Sequence, residues 1–347
     1  MRTFAVAALF GGAVLAAPVA AQTNLTAETA SPGGAVHLSS THMAEIAGTS
    51  GVANIQLTDG QTLTNTVQNV AEGKTDIGSA PHILPFLMSR GVGPYGELGK
   101  EKGAELAANL RAITPYTLGI FFLYAYDAKG IDGWDGLEGK KVFNGPPRGG
   151  ALTNGRAMIQ IITGLKDGEG YEGMQANWGQ AASIISGGEP DAVVLPELFP
   201  GSRVATVASS GKMTGWSMPK EIYEGEAMQK YMKAPGSASV EIPLAEVAAA
   251  MGEDWTFVSE DETFRALATI GGDLVHKDMD EELVYQLVKT YVASMDALKA
   301  KAPFGNTVNF DNPALGMCGA NPVKYHKGAT RAWEEAGYDI PDCAEDQ

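Results

Sequence analysis

The chain has 347 residues, a formal net charge of −16 at pH 7 and two cysteines. So large an excess of acid repels nucleic acid and anionic membrane surfaces, so neither is expected as a partner. The length leaves room for two ordinary domains or one large α/β domain.

In chain order, residues 1–21 fit an export signal, removed from the mature protein. Arg2 supplies the positive start, Phe4 to Ala17 the apolar core, and Pro18-Val-Ala-Ala21 a small-residue cleavage site before Gln22. The apolar stretch is short and broken by Gly11, Gly12 and Pro18, and no later segment is apolar enough to span a bilayer. No direct membrane insertion is expected.

Strand-like apolar runs follow at Ala35–Leu38, Ala53–Leu57, Thr75–Ser79, Leu118–Ala125, Lys141–Phe143 and Asp191–Leu195. Helical spacing lies between them at Thr62–Ala71, Ala151–Thr163 and Trp178–Ser186. The alternation predicts an α/β fold of mostly parallel strands flanked by helices. In such sheets ligands bind beyond the carboxyl ends of the strands. The aromatic run 118–126 is expected to carry the chain from one lobe to another, and Ala266–Val275 to bring it back. Met279–Ala300 reads as one long helix, whereas Met218–Ser259 has no clear assignment. No internal repeat or long low-complexity segment is present.

Leu137 to Ala151 is the most informative stretch: a short strand, a turn rich in glycine and proline, then a helix. The first amides of a helix lack intrahelical partners and carry the positive end of its dipole, so a carboxylate or phosphate is stabilised there. Arg148 adds a forked donor, with plain solvation as the alternative. Gly91-Val-Gly-Pro-Tyr-Gly96 matches a dinucleotide fingerprint but follows a helical segment and has proline inside its turn, so no nucleotide is expected. No hydrolase or zinc-protease motif is present, and no cofactor is expected. His42 and His82, without a third ligand, do not make a metal site. Cys318 and Cys343 are expected to form a disulfide in an oxidising compartment.

Three segments, in order, resemble one family. They are Thr58-Asp-Gly-Gln-Thr-Leu-Thr-Asn65 with Ala71-Glu-Gly-Lys-Thr-Asp-Ile77, then Ile131 to Gly150, then Pro322 to Gly337 with His326, Ala329 and Glu335. Their order and spacing are similar to those of the TAXI-type solute receptors of TRAP transporters. The resemblance implies a two-lobed, flytrap-like periplasmic binding protein, type II-like, in the periplasm of a Gram-negative bacterium. Lobe I would comprise residues 22–120 plus 267–347 and lobe II residues 121–266, with hinge crossovers near 118–126 and 266–275. It implies capture of a small organic anion, such as glutamate or 2-oxoglutarate, for delivery to the membrane subunits, and no enzymatic activity. A ligand-sensing module for a receptor kinase and a periplasmic enzyme on a bilobal scaffold remain alternatives.

Two departures from the family pattern stand out. Its opening glycine loop is replaced, on this reading, by Ser39-Ser40-Thr41-His42, and its "G-S-G-T" by Arg148-Gly149-Gly150-Ala151. The candidate ligand contacts of the first lobe are Ser39, Ser40, Thr41, His42, Thr58, Gln61, Ala80 and His82. Those of the second are Asn144, Arg148, Gly149, Gly150, Asn177, Trp178 and Glu197. Thr58 and Asn65 serve equally well in capping the helix that begins near Thr62. Trp178 fits either a stacking contact or the core, and His326 a structural place at the start of the last helix.

Overall fold

The computed structural model describes residues 22–346. The export signal expected at residues 1–21 lies outside them.

The first part of the chain alternates strand and helix: β1 (Thr23–Glu28), α1 (Ala35–Thr49), β2 (Ala53–Thr58), α2 (Leu63–Ala71), β3 (Ile77–Pro81), α3 (Ile83–Arg90) and α4 (Gly99–Ala107). The 17-residue β4 (Leu110–Tyr126) then leads into β5 (Lys141–Phe143), α5 (Gly150–Thr163), β6 (Glu172–Met174), α6 (Trp178–Ser186), β7 (Ala192–Glu197) and α7 (Ser202–Ala208). Next come β8 (Met213–Trp216), α8 (Lys220–Glu224), α9 (Glu226–Met232), β9 (Ser237–Pro243), α10 (Leu244–Met251) and β10 (Trp255–Val258). The chain returns through β11 (Thr263–His276) to α11 (Glu281–Ala293), α12 (Met295–Ala300), β12 (Lys324–Tyr325) and α13 (Lys327–Glu335).

The expected parallel pairs are present: β1 lies between β2 and β3, and β5 between β6 and β7. The sheet as a whole is mixed, because β4 and β11 run antiparallel through its middle. These two strands serve both halves. Near Thr263–Thr269, β11 pairs with β9, and from Gly271 it pairs with β3. β4 takes β7 and β8 only from Ile120 onward. The changeover coincides with a register shift that leaves Leu118 unpaired between Thr117 and Gly119, and a bulge of this kind bends and twists a strand. Beside it the strands crowd together. A methyl group on Gly271 would lie 2.5 Å from the Ala80 carbonyl oxygen, and one on Gly272 would strike that of Thr114, so only glycine fits.

Three apolar clusters follow from this layout. One packs β1–β3 and the first part of β4 against α1, α11 and α13. The others lie on opposite faces of the second half, where Ile120, Phe122 and Tyr124 point one way and Phe121, Leu123 and Ala125 the other, as the two-residue period of a strand requires. Phe122 alone meets the rings of Tyr124, Phe199, Trp255, Phe257 and Phe264 at centroid distances of 5.2–6.3 Å. Full burial of such a side chain is worth roughly 1.5–3 kcal/mol.

Three sequence expectations need correction, and one gap is filled. Ala35–Leu38 is the first turn of helix α1, and the strand before it, β1, lies twelve residues upstream of the expected start, 23 against 35. The face that α1 buries, Ala35, Ser39, Met43 and Ala47 with Val36 and Ser40, has helical spacing, but polar residues interrupt its apolar signal. The third strand sits two residues later than expected, at Ile77–Pro81. Met279–Ala300 is two helices broken at Ser294, whose φ of −107° and ψ of 15° are not helical. The stretch without assignment holds α8, α9, β9, α10 and β10.

Residues 301–323, without helix or strand, cross the junction of the halves. Thr117 N donates to Val308 O at 2.8 Å, and Thr307 Oγ1 to Phe199 O at 3.0 Å. The expected disulfide, Cys318–Cys343, ties this segment to the C-terminus with its Cα atoms 5.6 Å apart. His326 caps α13 as expected, its Nδ1 accepting from Gly328 N at 3.2 Å.

Candidate functional site

The carboxyl ends of β1–β3 and of β5–β7 lead into loops that meet across the two halves. A methyl group on Gly33, in the loop after β1, would lie 3.3 Å from Ser202 Oγ at the start of α7; one on Gly150 would lie 3.6 Å from Ile83 Cγ2 at the start of α3. The starts of α1 and α7, and of α3 and α5, therefore converge on one region.

Six helices, α1, α2, α3, α5, α6 and α7, leave these six strands directly. None carries an acidic residue in its first turn or a side-chain N-cap bond. By contrast, α4 and α8–α12 all have acid in the first turn, and Asp280 caps α11 by accepting from Leu283 N at 2.8 Å. Free N–H groups and the positive dipole ends are thus left without side-chain compensation at the carboxyl ends of these strands, which suits an anion.

Several predicted contacts lie at these strand ends. Thr58 ends β2, exposed; Gln61 is half-buried, its Nε2 donating to Asp59 O at 2.9 Å. Ala80 and His82 are fully buried at the end of β3. The His82 ring has Asn321 Nδ2 3.5 Å from Nδ1, while Nε2 has no partner, and burial pushes its pKa down to about 4. Asn144 ends β5, buried, its Oδ1 accepting from Gln175 Nε2 at 2.8 Å. Arg148 and Gly149 are exposed on the loop, and Gly149, at φ +105°, opens α5 at Gly150. Asn177 and Trp178 start α6, both exposed. Asn65 is exposed inside α2, and the cap position, Thr62, makes no side-chain bond.

Ser39, Ser40 and His42 are not brought to this region, because they lie inside α1 and face the core. Ser39 Oγ donates to Asp273 Oδ2 at 2.6 Å, Ser40 Oγ lies 2.6 Å from Ser79 Oγ, and His42 Nε2 lies 2.8 Å from Ser294 Oγ. Thr41 is exposed on the outer face. The glycine turn after the first strand is in fact Gly33-Gly34, ahead of α1, so its absence from the chain was only apparent. The cluster Ser31-Pro-Gly-Gly34 was the available signal.

Two buried acids at the junction, Glu197 and Asp273, are hydrogen-bonded to side chains. Glu197, 1% exposed, accepts from Tyr124 OH at 2.7 Å and Arg203 Nε at 2.8 Å. Arg203 itself was not predicted. Asp273, fully buried, accepts from Ser39, Thr114 at 2.5 Å, Tyr116 at 3.1 Å and Ser79. Burial pushes its carboxyl pKa up, and the four hydroxyl donors partly oppose that.

Elsewhere, a surface cavity of about 350 Å³ is lined by Arg111, Lys277, His326, Lys327 and Asp346 among others. It lies at the far end of β4 and β11, and its Arg111 is already paired with Asp346, Nη2 to Oδ1 and Nε to Oδ2 both at 3.0 Å. Among the described residues no group of three or more His, Cys, Asp or Glu is placed to hold a metal, and no helix is long and apolar enough to cross a membrane.

In class, this is an α/β fold, a mixed sheet flanked by helices with two strands shared between its halves. The chain belongs to the NMT1-like family, whose match spans residues 27–337. No curated protein matches it in sequence. Among solved structures, it is similar to the periplasmic aliphatic sulphonate binding protein SsuA from Escherichia coli, with 11% identity, 82% of this chain and 78% of that one covered, and a TM-score of 0.43. A putative sulfonate ABC transporter's periplasmic sulfonate-binding protein SsuA, from Methylobacillus flagellatus KT, has 10% identity, coverage of 80% and 70%, and a TM-score of 0.42. A TRAP solute binding protein from a marine metagenome, specific for aromatic acid ligands, has 12% identity, coverage of 82% of each chain and a TM-score of 0.42.

Proposed function

We propose that the protein is a periplasmic solute receptor of the TAXI type, which captures a small organic anion between two lobes and delivers it to the membrane subunits of a TRAP transporter. The observation that carries this reading is the convergence of bare helix starts from both halves. Family membership and the order of the TAXI-like segments support it.

On this reading lobe I is 22–120 plus 267–347, lobe II is 121–266, and the crossovers near 118–126 and 266–275 are the hinge. The anion touches both lobes, so its binding stabilises the closed form over the open one. Donors come from helix amides, with Thr58, Gln61, Asn144 and Asn177 as neutral hydrogen-bonders and Arg148 as the cation. No covalent step is involved. The transporter subunits would recognise the rim that only closure brings into register.

Native mass spectrometry of the protein purified from periplasm, with a thermal-shift panel of carboxylates and amino acids, tests this. A retained small anion, or a carboxylate that raises the melting temperature, is expected; ligand at a hundred times Kd adds about 2.7 kcal/mol of stability. A protein that carries nothing and responds to no anion overturns the reading. Arg148→Ala is expected to weaken binding at least about tenfold with folding intact, and an unchanged Kd by calorimetry would remove Arg148 from the site.

A further inference from the structure

Among the described residues only three large apolar side chains are exposed: Val92, Val258 and Trp178, the last at 43%. Trp178 differs from the valines in being fixed from behind. The Arg203 guanidinium carbon sits 4.8 Å from the indole centroid. Arg203 is held by Nε on buried Glu197 and by Nη2 on Pro196 O, both at 2.8 Å, and Glu197 takes a further bond from the Tyr124 hydroxyl of β4. Three side chains thus anchor one ring to the central sheet.

The position of that ring is as telling as its support. A methyl group on Gly145, just past β5, would lie 3.8 Å from Trp178 Cη2, while Arg203 follows β7. The indole therefore lies at the carboxyl ends of β5 and β7, against the loops that also bring Gly150 to Ile83 and Ser202 to Gly33. A tryptophan that merely filled space behind Arg203 would be covered by its neighbours. This one stays 43% exposed, next to Gly145 on the loop that runs through exposed Arg148 to the bare start of α5. An indole face favours another π-system in offset contact, and its rigidity means that little ordering entropy is lost on contact.

We propose that Trp178 is a stacking platform and that the anion taken by this cleft is an aromatic carboxylate, its ring on the indole and its carboxylate at the start of α5. This rests on the receptor reading above and narrows its ligand. An aliphatic amino acid or dicarboxylate would leave the indole face unused.

The test compares benzoate with cyclohexanecarboxylate, equal in charge and similar in size but not planar, by calorimetry and by tryptophan fluorescence on the mature protein. Benzoate is expected to bind more tightly, by roughly three- to tenfold. Trp178→Ala should abolish that preference, and Trp178→Phe should keep most of it. Arg148→Ala should weaken both ligands alike. Circular dichroism and a melt of each variant confirm that it is folded. Equal binding of the two acids by the wild type, or a preference that survives Trp178→Ala, overturns the platform. Binding of glutamate or 2-oxoglutarate without either cyclic acid also overturns it and leaves the receptor reading standing, whereas no binding of any carboxylate sinks both.

Discussion

The starts of α5 and α11 show two ways of beginning a helix. At α5, Gly149 and Gly150 present bare amides with no cap and no nearby acid in the first turn. At α11, Asp280 accepts from Leu283 N, and Glu281 and Glu282 follow at once. Local stability favours the second arrangement, which offsets the dipole and satisfies an orphan donor. The first gives up that stabilisation, and six helices of this chain do so at the carboxyl ends of the parallel strands, four of them where the two halves meet. In a chain with net charge −16, chance would not readily keep acids out of six first turns in this one region. On the proposed reading, the difference separates helix ends left open for a ligand from ends finished for the fold.

A related contrast concerns the buried acids Glu197 and Asp273, which accept hydrogen bonds from side-chain donors. Asp273 is the sharpest case, and its loss is expected to have the largest effect. Asp273→Ala strips the acceptor from four buried hydroxyls, and each such loss costs about 1–3 kcal/mol where no new partner is found. A destabilisation of at least about 3 kcal/mol in urea melts is expected, and less than 1 kcal/mol would mean that the network is incidental. Because burial raises this carboxyl's pKa, the native state holds the proton more tightly than the unfolded chain. Its contribution is present in full below the ordinary carboxylate value of 3.8 and is lost as pH rises through the raised value. Asp273→Asn should remove that component of the pH profile.

His82, at the start of α3, tests the opposite sign. Its pKa falls from 6.5 to about 4 because the ring is buried, so its contribution is complete above 6.5 and is lost as pH falls toward 4. The shift corresponds to roughly 3 kcal/mol. Melts at pH 7 and pH 4.5 should show wild-type stability dropping with acid, and less so in His82→Gln. Part of the slope should remain in that variant, since buried His42 is also lowered to about 4. An unchanged slope would show that position 82 takes up its proton without unfolding.

Charge can also be written into the cleft directly. A Cβ at Gly150 would meet Ile83 Cγ2 at an ordinary 3.6 Å, so Gly150→Glu and Gly150→Gln are sterically comparable. The acid should weaken binding of a carboxylate about tenfold relative to the amide, by opposing the dipole and repelling the ligand at close range. Equal affinities by calorimetry would mean that the α5 start does not receive the anion.

Much of the second wall was legible in the sequence. Val142-Phe143, the glycines and prolines after them, and the apolar spacing from Ala151 are all local signals, and the structure holds β5, the turn and α5 at those places. The first wall was not. Only Leu25 and Ala27 are buried along β1, too few to mark a strand. The buried face of α1 includes Ser39 and Ser40, whose partners Asp273 and Ser79 lie 234 and 39 residues away in the chain. A polar residue satisfied from that distance looks exposed in a linear reading. Arg203 and Glu197 were obscured likewise: in a linear reading Glu197, at the end of β7, looks like a free acceptor, and only the fold sets Tyr124 and Arg203 against it.

The smallest effect is expected at the finished end of the comparison. Asp280→Ala removes one capping bond from α11 and should cost about 1 kcal/mol, seen as a fall of a few degrees in melting temperature. Binding of a carboxylate should not change, because Asp280 lies at the far end of β11 from the strand junction. The pair of outcomes is what discriminates. Gly150→Glu should alter affinity at nearly constant stability, and Asp280→Ala should alter stability at constant affinity. If Asp280→Ala also weakened binding, the two kinds of helix start would be coupled through the lobe, and the absence of acid from the six first turns would no longer mark the place where the ligand sits.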